Sequence, residues 1–348
     1  MAHSFAHVLA TELRRFTFYS LQNILGEMDM MKKTLLASAV LMVSGVALAQ
    51  SSVTLYGVAD VAVGKESGEK AQMKGNSLIN NSVSYLGFRG VEDLGGGLKV
   101  GFNLEHAVNL ENGANLTGWG RAANVWLGGN WGRLQMGIAT TPSFNAMQIW
   151  DLMGLANYSP AYFSFGFVGG NTPDRQNSQI SYKTPVWGGF SAEVAYVMKA
   201  DNNDNAKVDV ALTYVNGSLS AGIAVNKTKN HKTNYGLGAK YSFGNFALAA
   251  SYNDTRNHAY PGYPGATGRV SGVSLGGSAQ FGAFSVALDV VRELKYDVEY
   301  QGVTHKEKKY TNGTLEMKYA LSKRTFFYGV YHRHVGENNY GLGVQHKF

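Results

Sequence analysis

The chain has 348 residues, 45% hydrophobic and only 16% charged, with 43 Gly, 20 Tyr, 17 Phe, 6 Pro and no Cys. That balance argues against a disordered chain or a long helical one, and the missing Cys excludes disulfides, thiolate nucleophiles and Cys-held metals. The formal net charge of +7 favours anionic surroundings, but Lys and Arg are scattered without a basic run, so no nucleic-acid partner is expected.

In chain order, residues 1–30 precede a basic start and read as a spurious N-terminal extension; Met28, Met30 and Met31 are candidate true starts. Residues 31–49 follow the layout of a secretory signal peptide. Lys32 and Lys33 lead into an apolar run from Leu35 to Val43, and Ala47-Leu48-Ala49 precedes Gln50. The run is too short for a stable membrane helix, so cleavage after Ala49 and export are expected.

From Gln50 onward the pattern is alternation. In "SVTLYGVADVAVG" Val53, Leu55, Ala59, Val61 and Val63 share a face opposite Thr54, Tyr56 and Asp60. "GLKVGFNLE" sets Leu98, Val100, Phe102 and Leu104 against Lys99, Asn103 and Glu105, and "VDVALTY" sets Val208, Val210 and Leu212 against Asp209 and Thr213. A period of two over about ten residues means strands with one apolar and one polar face. Such stretches recur near 52–65, 78–90, 97–108, 119–130, 132–141, 176–186, 189–199, 207–216, 219–229, 233–243, 245–255, 268–281, 283–297, 306–320, 325–335 and 338–348.

A soluble sandwich also alternates, but two features favour a transmembrane barrel. The polar face is rich in Gly and carries charges deep in the strands, as at Lys240, Asp289 and Lys318. Connections alternate in length: very short turns at Gly95-Gly96, Gly188-Gly189, Asn216-Gly217 and Gly244-Asn245 are interleaved with longer loops, the longest about 141–175. Short turns on one side and long loops on the other suit an outer-membrane barrel, which lipid forces to close. The expected fold is all-β: an antiparallel barrel of about sixteen strands spanning 50–348, with an aqueous lumen unless a loop folds in.

Several motifs, taken in order, make the chain resemble a Gram-negative general porin of the Neisseria, Bordetella and Burkholderia kind. They are "SSVTLYGVAD" after the signal, "GFRGVEDLGGGLKVGFNLE" at 87–105, "RAANVWLGGNWGRLQMG" at 121–137, "TPSFNAMQIWD" at 141–151, "LSKRT" at 321–325 and the terminal "GLGVQHKF". The resemblance implies a homotrimer of 16-stranded barrels in outer-membrane lipid, each with the loop after its fifth strand folded into the lumen. It also implies a field across the constriction, between acidic loop residues and a basic wall.

Carried over by motif, Arg121 and Arg175 are the basic wall residues and Asp151 is the acidic loop residue. The alternatives are solvated lumen or loop-end charges for the two Arg, and an ordinary turn carboxylate for Asp151. Arg175 shares parity with Gln179, Ser181 and Lys183. Departures from the family pattern temper this. Tyr85 stands where relatives carry a wall Arg, and the 141–175 loop is unusually apolar and aromatic, so strong anion selectivity is not implied. Lys99, Glu105, Lys183, Lys240 and Lys318 are expected to charge the lumen. Phe348, closing the last strand, is the signal the resemblance assigns to the barrel-assembly machinery.

Enzymatic readings find little footing. His332 and His334 share a strand face at i, i+2, but no third metal ligand is indicated, and no Ser-His-Asp or paired-carboxylate signature is present. The "GGGLKVG" glycines join two strands instead of opening a helix, so they are a turn and not a phosphate cradle. The expected function is passive diffusion of ions and small hydrophilic solutes, with no cofactor, metal or catalysis. The alternatives are a porin selective for organic or aromatic anions and, further off, a barrel enzyme or adhesin.

Overall fold

The computed structural model describes residues 52–115, 118–165, 174–202, 204–259 and 267–348, so the extension at 1–30 and the signal segment at 31–49 lie outside the described residues. β1 (Ser52–Lys65) opens the wall, and the short β2 (Gln72–Lys74) pairs with its residues Ala62–Gly64. The wall continues through β3 (Tyr85–Gly95), β4 (Leu98–Ala107), β5 (Ala122–Gly129) and β6 (Gly132–Thr140). Two helices follow, α1 (Pro142–Trp150) and α2 (Pro160–Phe165).

Strands resume with β7 (Arg175–Lys183), β8 (Phe190–Val197), β9 (Lys207–Asn216), β10 (Leu219–Thr228) and β11 (Asn234–Phe243). Next come β12 (Phe246–Ala259), β13 (Thr267–Phe281), β14 (Phe284–Tyr300) and the short β15 (Val303–Lys306), a hairpin on the end of β14. The last are β16 (Thr311–Ala320), β17 (Thr325–His334) and β18 (Glu337–Lys347).

Every wall pairing is antiparallel, and the sheet closes on itself where β1 pairs β18 from Val58↔Lys347 to Lys65↔Tyr340. Reciprocal backbone bonds between Gly57 and Phe348, at 3.2 and 3.1 Å, extend that seam to the final residue. Without the two short strands, β2 and β15, the eighteen described strands make a closed barrel of sixteen. Closure leaves no open edge, which a sheet surrounded by hydrocarbon requires.

The alternation is inside out relative to a soluble protein. On β9, Val208, Val210 and Leu212 are exposed, Leu212 at 46%, whereas Lys207, Asp209 and Ala211 are buried, Asp209 at 2%. Apolar side chains therefore face outward to lipid and polar ones face the interior. Beside the short turns at Gly244 and Gly282, the exposed rings of Phe243, Phe246 and Phe281 lie within 5.9 Å of their neighbours, an aromatic belt at the membrane edge.

The sixteen predicted strands all occur, with departures: the one expected from 306 begins at Thr311, and two others differ more. The second begins at Tyr85 and not near 78, because residues 77–84 turn into the barrel. The sixth carries a β-bulge, with a register shift opposite Gly137/Ala139 and Ser178 at φ 51°. The bulge breaks the simple parity count that linked Arg175 to Gln179.

Candidate pore passage

The loop after β6 folds onto the inner wall because its polar groups find partners there. Thr141 caps α1, accepting from the Phe144 amide at 3.3 Å, and Pro142 fills the first helical turn, where no amide is needed. The Ser143 amide and hydroxyl both donate to Asp209 Oδ1, at 3.0 and 2.6 Å, and Asn145 Nδ2 donates to Glu193 at 3.1 Å. Trp150, 2% exposed, lies flat on β11, where a Cβ on Gly238 would stand 2.5 Å from three indole carbons. Only glycine permits that approach.

Asp151 does not reach into the lumen as an acidic lip. It is 6% exposed and staples the loop to itself, accepting from the amides of Met153 at 3.0 Å and Leu155 at 2.7 Å and from the Ser159 hydroxyl. Burial pushes its carboxyl above the usual range, against these bonds and the charge of Lys240, which pull it down. Beyond it, Tyr158 donates to Glu316 at 2.7 Å, and α2 packs against β12, β13, β14 and β16. Phe163 on α2 touches the stacked rings of His332 and His334, and His332 Nδ1 bonds the Thr314 hydroxyl at 2.7 Å. Among the described residues no three potential ligands form a metal-binding group.

A second segment also folds inward. Asp60 on β1, fully buried, receives Asn80 Nδ2 at 3.0 Å, the Ser82 amide at 3.2 Å, Tyr328 OH at 2.7 Å and Gln345 Nε2 at 2.9 Å. Ile79 is buried with Ala62 and Tyr328, drawing residues 77–84 away from the wall. The two segments meet where Asn81 Nδ2 donates to Tyr158 OH at 2.7 Å and the Asn157 amide donates to Asn81 O at 3.3 Å.

Together these segments leave an open cavity of about 790 Å³ between the loop and the wall formed by β1, β3–β7 and β18. The wall contributes Tyr56, Tyr85, Arg89, Glu105, Arg121, Arg175 and Lys347; the loop contributes Phe144, Gln148, Leu155, Tyr162 and Asp174. Four cationic side chains thus share the lining with two side-chain carboxylates, and Phe348, whose terminal carbonyl oxygen accepts from the Gly57 amide, also borders it. Arg121 lies with its guanidinium carbon 4.2 Å above the Tyr85 ring and its Nε 3.4 Å from Glu105. Arg175 donates from Nε to the Arg121 carbonyl at 3.0 Å and pairs with Asp174. Tyr56 donates to Glu105 at 2.9 Å, and a Cβ on Gly87 would stand 2.7 Å from the Tyr56 ring, so glycine there lets that ring lie against the wall.

Of the residues expected at the constriction, Tyr85, Arg121 and Arg175 come together here with Glu105, and Asp151 does not. The expected lumen lysines lie apart from this cavity. Lys99 is 3.9 Å from Asp93, Lys183 is 3.8 Å from Glu193 and Lys318 is 2.8 Å from Glu316, so each has a carboxylate nearby. Arg89, Tyr56 and Phe144 were not anticipated. Arg89 shares strand parity with Tyr85, which was the available signal.

The profile of Gram-negative porins matches residues 36–339. The chain belongs to the Gram-negative porin family. Outer membrane porin protein 32 of Delftia acidovorans is 33% identical over 320 residues, covering 86% of this chain and 88% of that one. An outer membrane porin of Bordetella pertussis is 30% identical over 391 residues, covering 91% and 100%. Among solved structures, an anion-selective porin from Comamonas acidovorans superposes with a TM-score of 0.69 at 26% identity, covering 86% of this chain and all of that one. The porin's place is the Gram-negative outer membrane, where the barrel forms a channel.

Proposed function

We propose that solutes cross this porin through the passage between the α1 loop and the β3–β7 wall, by passive diffusion, with a modest preference for anions. The observation that carries the reading is the imbalance of the lining: Arg89, Arg121, Arg175 and Lys347 against Glu105, Asp174 and the terminal carboxylate of Phe348. Charges at a narrow, low-dielectric point select ions by electrostatics, and pairing of Arg121 and Arg175 with carboxylates softens that field without inverting it. The loop face, with Phe144, Leu155 and Tyr162, adds no further acid to oppose the wall. Reversal potentials in a salt gradient across a planar bilayer test the reading: chloride preference supports it, and cation preference refutes it.

The same proposal extends to assembly. It takes the active form to be a homotrimer, in keeping with the family resemblance and the extensive outward apolar face. It takes segment 31–49 as the export leader and Phe348, bonded into the β1–β18 seam, as the end recognised by the barrel-assembly machinery. A heat-sensitive trimer band on gels of unboiled protein checks the oligomer.

A further inference from the structure

The three arginines of the passage lie beside rings. Arg89 places its guanidinium carbon 4.9 Å from the centre of Tyr56, which meets Tyr85 edge-on at 6.1 Å. Tyr85 in turn carries Arg121 at 4.2 Å. Across the passage Arg175 stands 5.8 Å from the Phe144 ring, and Phe144 meets Tyr162 edge-on at 5.9 Å. Two pairs of rings, Tyr56–Tyr85 on the wall and Phe144–Tyr162 on the loop, are thus flanked by arginines, and all line one cavity. Simple attraction of chloride requires only the charge.

This placement has two consequences. Beyond the N–H groups that Arg121 and Arg175 turn to Glu105, Asp174 and the Arg121 carbonyl, each guanidinium beside its ring offers its remaining N–H groups as a planar fork, which suits a carboxylate better than a spherical ion. The rings are themselves fixed, Tyr56 by its bond to Glu105 and Phe144 by α1, so they form a standing aromatic surface beside the cations. A planar ring entering between them meets edge-to-face or offset partners.

We propose that the passage is a binding site for monocyclic aromatic carboxylates: the carboxylate takes the Arg121/Arg175 edge and the ring rests among Tyr85, Phe144 and Tyr162. This rests on the channel reading above and names a solute class for it. The cavity, about 790 Å³, falls within the size range of small-molecule sites. Being open to flow, the site must bind weakly enough to release its solute.

The test is block of single-channel current in potassium chloride by benzoate, cyclohexanecarboxylate and acetate, using the purified full barrel in planar bilayers. The three probes share one charge; the first two share size and differ in aromaticity. Benzoate is expected to reduce current saturably, at a half-blocking concentration about tenfold below that of cyclohexanecarboxylate, with acetate weaker than either. That ratio, read within one channel, should collapse toward one in Tyr85→Leu and Phe144→Leu. Arg121→Lys, which keeps charge but loses the planar fork, should weaken block by both ring acids. Equal block by benzoate and cyclohexanecarboxylate, or a ratio unmoved in both ring variants, overturns the inference while leaving the channel intact. Absence of any conductance steps from folded protein overturns the channel reading itself, and this inference with it.

Discussion

Asp151 separates two accounts of the loop, and its replacement by Ala or Asn tells them apart. Were it a charge on the lip of the passage, either variant would move the reversal potential toward stronger anion preference by the same amount. Its buried position predicts otherwise. Asp151→Ala strands the amides of Met153 and Leu155 and the Ser159 hydroxyl, each at about 1–3 kcal/mol when it stays buried. The two amides alone set a cost of about 2–6 kcal/mol, from which the relief of a buried carboxyl must be subtracted. Since every 1.4 kcal/mol is about tenfold in an equilibrium, the loop should open orders of magnitude more often. Asp151→Asn keeps an amide oxygen for both backbone donors, and the Ser159 hydroxyl can turn to accept, so it should stay close to wild type. Single-channel noise and protease cleavage within 151–165 read the opening.

The same carboxyl gives a pH signature. Its value in the docked loop is raised, so the docked form holds the proton more tightly than an opened one. Docking is therefore most stable at low pH and weakens as pH climbs from the ordinary carboxylate range through the raised value, then levels off. Asp151→Asn should lack that slope. Equal shifts of reversal potential in the Ala and Asn variants, with quiet channels in both, would refute the reasoning.

Three further outcomes follow from the packing. Gly238→Leu pushes into the Trp150 indole and should displace α1 at a cost of about 3–5 kcal/mol, as for loss of a buried aromatic; conductance and noise should rise, and unchanged steps would contradict the inward placement of α1. Glu105→Gln removes the negative charge facing Arg121 while keeping an acceptor for Tyr56, and should raise chloride preference; a lowered preference in bilayer reversal potentials would count against the charge balance described for the passage. Phe348→Ser should reduce the yield of folded barrel in outer-membrane fractions more than it lowers the stability of barrel that has formed, since Phe348 is 43% exposed; equal losses would make its role only structural.

How much of this was legible depended on where each residue's partners lie. The wall strands could be read because lipid outside and water inside write a period of two along each one, and because glycine turns such as Gly95–Gly97 and Gly244 punctuate them. Residues 77–84 look like strand in isolation, but Asn80 and Ser82 bond the buried Asp60 and Ile79 packs on Ala62, contacts made with β1. Ser178 bulges with no sequence warning. Arg121 and Arg175 were found from motif positions, and their meeting with Tyr85 required the fold. Arg89 was readable by its parity with Tyr85. The orientation of Asp151 was not readable, because the same Asp in a loop can face water or cap its own backbone, and the choice is made by the packing of α1 on β9–β11.

The most direct test of the account is the reversal potential of the purified porin in a potassium chloride gradient, measured for wild type and for Arg89→Ala, Arg121→Ala and Arg175→Ala combined. A cationic passage predicts chloride preference in the wild type and its loss or reversal in the triple variant. A cation-selective wild type, or a triple variant with an unmoved potential, would contradict it.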